Sequence, residues 1–303
     1  MHRMISYQIE DSYPKLRSFL KQKGYSQGLL ARLKEHPERL LLNGCPAKLS
    51  APLFPGDQLQ LQILEEAIPS AQVQPRFAPL SIVFEDEDLL VINKAAGMSI
   101  HPSLHHDMDS LANAVAFYYK NASSPFLFRC INRLDKETSG LTMIAKNPLS
   151  AVLLSGMVQK RQIHRTYLAL AEGELPIDDS PDPFPHTIDM PIGRCQDSII
   201  TRRIDPEKGQ RAITHYRVLA HRKGLSLLSI KLETGRTHQI RIHMQFIGHP
   251  LPGDYLYHPV YDRISRVALH SASLAFLHPI NQKPMEFHAP LPEDMAALLR
   301  QNP

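Results

Sequence analysis

The chain lacks several features that would assign it to other classes of protein. No apolar run approaches the roughly 18 residues that a membrane helix needs, so no bilayer span is expected. The opening residues Met1-His2-Arg3-Met4-Ile5-Ser6 have no apolar core of the secretory-signal kind. Cysteine is scarce. Cys45, Cys130 and Cys195 are far apart and odd in number, which suits neither a disulfide framework nor a zinc knuckle. A reducing cytoplasm is therefore the expected compartment. Gly-rich phosphate loop, Gly-x-Ser-x-Gly elbow, dinucleotide fingerprint and Cys-x-x-Cys pair are all missing. Neither a metal nor a cofactor is expected.

What remains is an ordinary globular composition. The 303 residues, 43% hydrophobic and 21% charged, suffice for one large domain and a small one. A net charge of +4 permits a polyanionic partner without requiring one. The 16 histidines are dispersed rather than gathered in a metal-binding tract.

Residues 11 to about 66 have the pattern of a compact unit of two helices and short strands. Ser12 is placed to cap a first helix with Pro14 in its opening turn and Leu16, Phe19 and Leu20 on one face, ending at Gly24. Ser26 is placed to cap a second helix, striped by Leu29, Leu30 and Leu33. Asn43-Gly44 marks a hairpin turn, and residues 56–63 alternate as a half-buried strand does. Residues 69–79, with three prolines and no periodicity, predict an extended linker. The division is thus 1–68, 69–79 and 80–303.

Beyond the linker, residues 81–84 and 89–93 flank the acidic turn Glu85-Asp86-Glu87-Asp88 in a hairpin pattern. Ser110 and Asn147-Pro148 open two helices, and residues 126–132 and 141–146 predict strands on either side of a polar loop. Residues 174–191, acidic and proline-rich, predict a surface loop. Strands and helices alternate too irregularly for a doubly wound sheet, so the expected class is α+β with a mixed, mostly antiparallel sheet.

Three segments concentrate chemistry. The loop Asn132-Arg133-Leu134-Asp135-Lys136-Glu137-Thr138-Ser139-Gly140 sets a carboxylate among cations, which keeps it ionised and able to act as base or nucleophile. A solvated turn would look similar. Glu233-Thr234-Gly235-Arg236-Thr237-His238-Gln239-Ile240-Arg241-Ile242-His243 predicts a strand end, a glycine turn and a helix from about Thr237. Arg241 and His238 share a face able to meet an anion, whereas His238 and His243 point apart and make a poor metal pair. The run Arg161 to Leu170 carries Tyr167 in a basic surround, either a stacking platform for a base or a core aromatic.

At these three segments the sequence resembles the RluA-type family of RNA pseudouridine synthases, over about residues 80 to 290. Asn93-Lys94-Ala95-Ala96-Gly97-Met98 before His101-Pro102 resembles the family's opening hairpin. Arg133-Leu134-Asp135 with Thr138-Ser139-Gly140-Leu141 resembles its catalytic loop. Residues 234–243, continuing to Gly248-His249-Pro250 and Gly253-Asp254, resemble its third motif. Residues 11–66 resemble, more loosely, the α-L (S-four-like) RNA-binding module. Asn132 stands where the family usually has His, Ala95 where it has Pro, and Arg165 where Lys is common.

The resemblance implies that a uracil glycosidic bond is broken, the base turns, and its carbon-5 rejoins the ribose. It implies Asp135 as the catalytic carboxylate, Arg241 as its partner and Tyr167 as a base-stacking ring. Arg133 would enter the RNA stack, and Arg236, His238 and Gln239 would contact substrate. RNA is the implied partner, ribosomal RNA before tRNA, and the protein is expected to act as a monomer with a tethered N-terminal grip. Two rivals stand beside this: an inactive RNA-binding or ribosome-assembly protein of the same fold, and a carboxylate hydrolase with Glu137 as second acid.

Overall fold

The computed structural model describes residues 2–65, 73–102, 108–121, 126–177, 179–258, 260 and 262–300. The N-terminal part comprises β1 (His2–Gln8), α1 (Leu16–Gln22), α2 (Gln27–Glu35), β2 (Leu40–Leu42), β3 (Cys45–Pro46) and β4 (Gln58–Leu64). Its antiparallel sheet has the order β1-β4-β2-β3, with Leu16, Leu20, Leu30, Leu59 and Leu61 fully enclosed between helices and strands. Ser26 caps α2 by accepting from the Leu29 amide, and Asn43 and Gly44 both turn with positive φ, as their sequence signals predicted. Two expectations fail here. β1 lies before the unit read from sequence and pairs along its whole length with β4. The first helix starts at Leu16 rather than at Ser12, because Tyr13 exchanges both backbone hydrogen bonds with Leu53 and holds the chain extended.

The larger part runs β5 (Ser81–Glu85), β6 (Leu89–Lys94), α3 (Leu111–Tyr118), β7 (Ser139–Ala145), α4 (Pro148–Gln159), β8 (His164–Glu172), β9 (His186–Asp189), β10 (Ile192–Arg194), β11 (Arg202–Ile204), β12 (Ile213–Arg222), β13 (Leu225–Leu232), α5 (Gln239–Phe246), β14 (Leu269–Leu277), β15 (Pro284–His288) and α6 (Glu293–Arg300). A nine-stranded sheet has the order β5-β6-β7-β14-β8-β13-β12-β9, with β15 also paired to β14. Every paired neighbour among the described residues is antiparallel except β7 with β14. The fold is α+β with a mixed, mostly antiparallel sheet. Ser110 caps α3 in a reciprocal capping box with Asn113, and Asn147 caps α4 ahead of Pro148.

Two local expectations need correction. Residues 126–132 do not form a full strand: they run beside β7 through an isolated bridge at Cys130 and backbone bonds at Arg129 and Ile131. The segment 174–191 is not all loop, since β9 closes the sheet edge against β12.

The N-terminal part is docked on the larger one rather than tethered. Arg3 of β1 donates from Nε and Nη2 to the buried Asp88 carboxylate, at 3.0–3.2 Å, and pairs with Glu87 at 2.6 Å. Glu65 accepts from Arg129 Nη2 at 2.9 Å. Leu149 of α4 belongs to the N-terminal hydrophobic core, and Gly24 sits where a Cβ would lie 2.6 Å from Leu153. Past residue 72, the linker lies on α3: Asn113 donates to Gln74 O and Phe77 meets the edge of Phe117.

The β7–β14 seam carries the loop that bears Asp135. Gly140 has φ of +111°, and a Cβ there would lie 2.3 Å from Ser271 O, so both conformation and space require glycine. We expect Gly140→Ala to lower unfolding free energy by at least ~2 kcal/mol, combining overpacking with backbone strain. Urea denaturation measures it, and a loss under about 0.5 kcal/mol, the level of a surface change, would show that the seam can yield.

Candidate active site

The loop of residues 132–138 is anchored along its length. Asn132 is buried, donating to Leu141 O at 3.1 Å and accepting from the Met143 amide at 2.8 Å. Leu134 packs with Tyr167, Ile240 and Leu269, which turns the exposed Arg133 outward. The Lys94 ammonium, buried at the end of β6, donates to the carbonyls of Ala95, Met98 and Lys136 at 2.8, 2.8 and 3.1 Å. All three of its protons are used, and Lys136 O also accepts from Gly97. Burial pulls the Lys94 pKa down to about 8, although the charges of Glu137 and Asp135 oppose the shift.

A cavity of about 360 Å³ opens above this loop. It brings together the seven residues that the family resemblance implied for the site: Arg133 and Asp135 from the loop, Tyr167 from β8, Arg236 and His238 from the turn after β13, Gln239 and Arg241 from α5. Tyr167 is nearly enclosed, paired across the sheet with Ile230 and Ser271, so it is both a core aromatic and a wall of the cavity.

Arg241 is only 3% exposed. It donates from Nε and Nη2 to the two carboxylate oxygens of Asp254, at 2.8 and 2.6 Å. Its remaining Nη1 faces Asp135 Oδ2 at 3.7 Å, an ion pair beyond hydrogen-bond range. At an effective dielectric near 20 such a pair attracts by about 4 kcal/mol before desolvation is counted. Burial alone would lower the Arg241 pKa, but the hydrogen bonds and charge of Asp254, then the charge of Asp135, outweigh it and raise the value. The guanidinium is thus a fixed cation between two carboxylates, one of them wholly buried and the other facing the cavity.

His238 stands just before α5 in a left-handed conformation, φ 58°. Tyr257 accepts from the Arg202 amide at 2.9 Å and shares a hydrogen bond of 2.8 Å with His238 Nδ1, which orients the imidazole. Burial depresses the His238 pKa, Asp135 opposes the shift, and Arg241 reinforces it. Gln239 was expected to touch substrate, yet its amide is fully engaged by protein. Its oxygen accepts from Thr234 Oγ and the Arg236 amide, while its nitrogen donates to Ile213 O and Thr214 Oγ. It shapes the turn. His243 bonds Thr214 and Met190 through its two ring nitrogens, so its ring and that of His238 meet different partners.

Asp86, Asp88 and His278 form the one group among the described residues with the spacing of metal ligands. Their chemistry suits a hydrogen-bonded hub better. His278 Nδ1 accepts from the amides of Ile280 and Asn281, leaving its proton on Nε2, which donates to Asp86. Asp88 is occupied by Arg3, Asn147 and Ser150. Glu137, the second acid of the hydrolase alternative, does not line the cavity. Glu233 does, but it is bonded to Arg161 and His215.

Asp254 and Tyr257 were missed in the sequence. Asp254 lay within the quoted third motif, but its pairing with Arg241 depends on how the chain returns after α5. Tyr257 carried no local signal.

A family model described as RNA pseudouridylate synthase matches residues 88–246. The chain belongs to this family. YjbO of Bacillus subtilis, named as an uncharacterized RNA pseudouridine synthase, is 38% identical, the match covering 94% of this chain and 98% of that protein. Ribosomal large subunit pseudouridine synthase D of Zymomonas mobilis is 36% identical over 90% of each chain. The solved structure of human RNA pseudouridylate synthase domain containing 1 shares 28% identity, with a TM-score of 0.57, covering 74% of this chain and 86% of that one. This pseudouridine synthase is accordingly an isomerase that acts on RNA.

Asp254→Ala would strand a buried guanidinium. We expect a stability loss of about 3–5 kcal/mol, as for a broken buried pair, with partial recovery in Asp254→Ala/Arg241→Met. Chemical denaturation of the two variants decides it: a single-variant cost below about 1 kcal/mol, the range of an exposed pair, would place Asp254 outside the anchoring role.

Proposed function

We propose that this synthase isomerises specific uridines in ribosomal RNA of the large subunit, with Asp135 as its catalytic carboxylate. The observation that carries the assignment is Asp135 in the mouth of a cavity, 29% exposed at its side chain, opposite the fixed Arg241 cation. The carboxylate starts cleavage of the bond from N1 to the ribose, the released uracil turns, and C5 forms the new bond to the ribose while the C5 proton is lost to solvent and N1 takes one up. No atom is added and no electron leaves, so positioning and fixed charge can supply the catalysis. Tyr167 covers the uracil face and keeps water away from it. Arg133, exposed at the rim, takes the place of the extracted nucleotide in the RNA stack and recovers part of the few kcal/mol that base flipping costs. Arg236 and His238 face the nucleotide.

Ribosomal RNA is favoured over tRNA by the named substrate of the Zymomonas mobilis relative. The division at residues 1–68, 69–79 and 80–303 places an S-four-like RNA-binding module ahead of the catalytic domain, and the protein acts as a cytoplasmic monomer. The exposed cations Lys15, Arg17, Lys21, Lys23 and Lys34 give the module's helices a face suited to phosphates.

Asp135→Asn should abolish pseudouridine formation, a loss of at least about 10⁴-fold, while RNA affinity stays within about threefold. Chemical mapping of pseudouridine in RNA treated with each protein, beside filter binding, tests both halves; normal turnover by the variant would remove Asp135 from the chemistry. Reversing charge on the module with Lys21→Glu/Lys34→Glu should weaken RNA binding and lower its salt slope by about 0.7–0.9 per lost phosphate contact. An unaltered slope would show that this face is not an RNA grip.

A further inference from the structure

A second cavity of about 360 Å³ adjoins the first, and Arg236 lines both. Its walls come from the β10–β11 hairpin and the segment that follows it. Four cations, Arg194, Arg202, Lys208 and Arg236, line it without a carboxylate. None of the four pairs with an acid among the described residues. The neighbouring Asp205 is turned under Gly193, where a Cβ would lie 2.6 Å from its carboxylate oxygen, and it accepts from the Lys208 amide. A surface that gathers four like charges costs self-repulsion unless an anion joins it.

Two of these cations are also held in place, Arg236 by donating from Nε to Arg211 O. Arg202 Nη1 donates to the carbonyls of Ile199, Ile200 and Thr201 at 2.9–3.1 Å, which fixes the fork against its own hairpin tip. Its backbone amide donates to Tyr257, whose hydroxyl is hydrogen-bonded in turn to His238 at the first cavity. The hairpin and the reaction cavity are therefore joined through two hydrogen bonds. Beside the cations the tip presents Ile199, 87% exposed, an apolar surface that a base or ribose can cover.

From this geometry we infer that the second cavity binds a backbone phosphate of the substrate RNA next to the target uridine, clamped by Arg194, Arg202 and Lys208. The inference rests on the RNA-modifying role proposed above. Arg236, shared by the two cavities, spans the junction between the extracted nucleotide and its neighbour. Because phosphate contacts position a strand without reading its sequence, the site sets register and not base identity. The Arg202–Tyr257–His238 path ties that register to the wall of the reaction cavity.

The test uses the full chain and the variant Arg194→Glu/Lys208→Glu, both changes lying on exposed side chains. Turnover is measured on total RNA from cells lacking the protein, and binding on a labelled transcript of large-subunit ribosomal RNA between about 50 and 200 mM salt. The variant should keep the wild-type thermal unfolding midpoint, raise KM about tenfold or more, and change kcat far less. Its salt slope should fall by about 0.7, for the one lost single-strand phosphate contact. A wild-type KM and slope, or a loss confined to kcat, would overturn the phosphate site. Absence of turnover by the wild-type protein would count against the proposed function, while the binding arm still reads the site. The milder Arg194→Ala/Lys208→Ala should show the same pattern at reduced size, and no effect on its slope would likewise overturn the assignment.

Discussion

One guanidinium organises this molecule. Arg241 is buried on α5, and a buried cation is tolerated only when its hydrogen bonds and charge are both answered. Asp254 answers most of the demand with two short bonds, leaving a single edge directed at Asp135. Had Asp135 been the sole partner, the two groups would close into a direct bond and the carboxylate would be occupied. With Asp254 in place, Asp135 feels the positive field across 3.7 Å while its oxygens remain available. The carboxylate is aimed and left free to react by the same arrangement.

The rest of the site follows from holding those two residues in register. Asp135 belongs to a loop pinned by Lys94 below and Asn132 behind, just ahead of the parallel β7–β14 seam that Gly140 permits. Arg241 is held from the opposite side by the Gln239–Thr214–His243 chain, which ties α5 to β12. Asn132 fits this scheme well. Where the family commonly carries histidine, its amide bridges two backbone groups of β7, so the departure is absorbed as a brace for the loop.

Features set by neighbouring residues were legible in the sequence. Ser26, Ser110 and Asn147 cap the helices they were expected to open, and Asn43-Gly44 makes its turn, because each signal acts within three residues. The seven residues named for the site do line one cavity, since three motifs carried them. What escaped notice depends on distant chain. β1 becomes a strand only because β4 presents an edge more than fifty residues later, and Tyr13 is held out of α1 by Leu53. β9 hides in an acidic, proline-rich stretch and is recruited by β12. Asp254 and Tyr257 act after the chain has left α5 and folded back, a return that no local pattern announces.

The ion pairs at Arg3 and Glu65 carry a further consequence. A grip on a flexible leash would accept any RNA whose second feature lay within reach, at the cost of ordering the leash. Here the two parts share a hydrophobic core at Leu149, so their surfaces stand in one relation to each other. Were the N-terminal part to grip RNA as proposed, an RNA folded to the matching span would meet both surfaces at little cost in ordering, whereas one of identical sequence but different shape would meet only one. Discrimination among candidate uridines would then be a matter of architecture, measured in ångströms rather than letters.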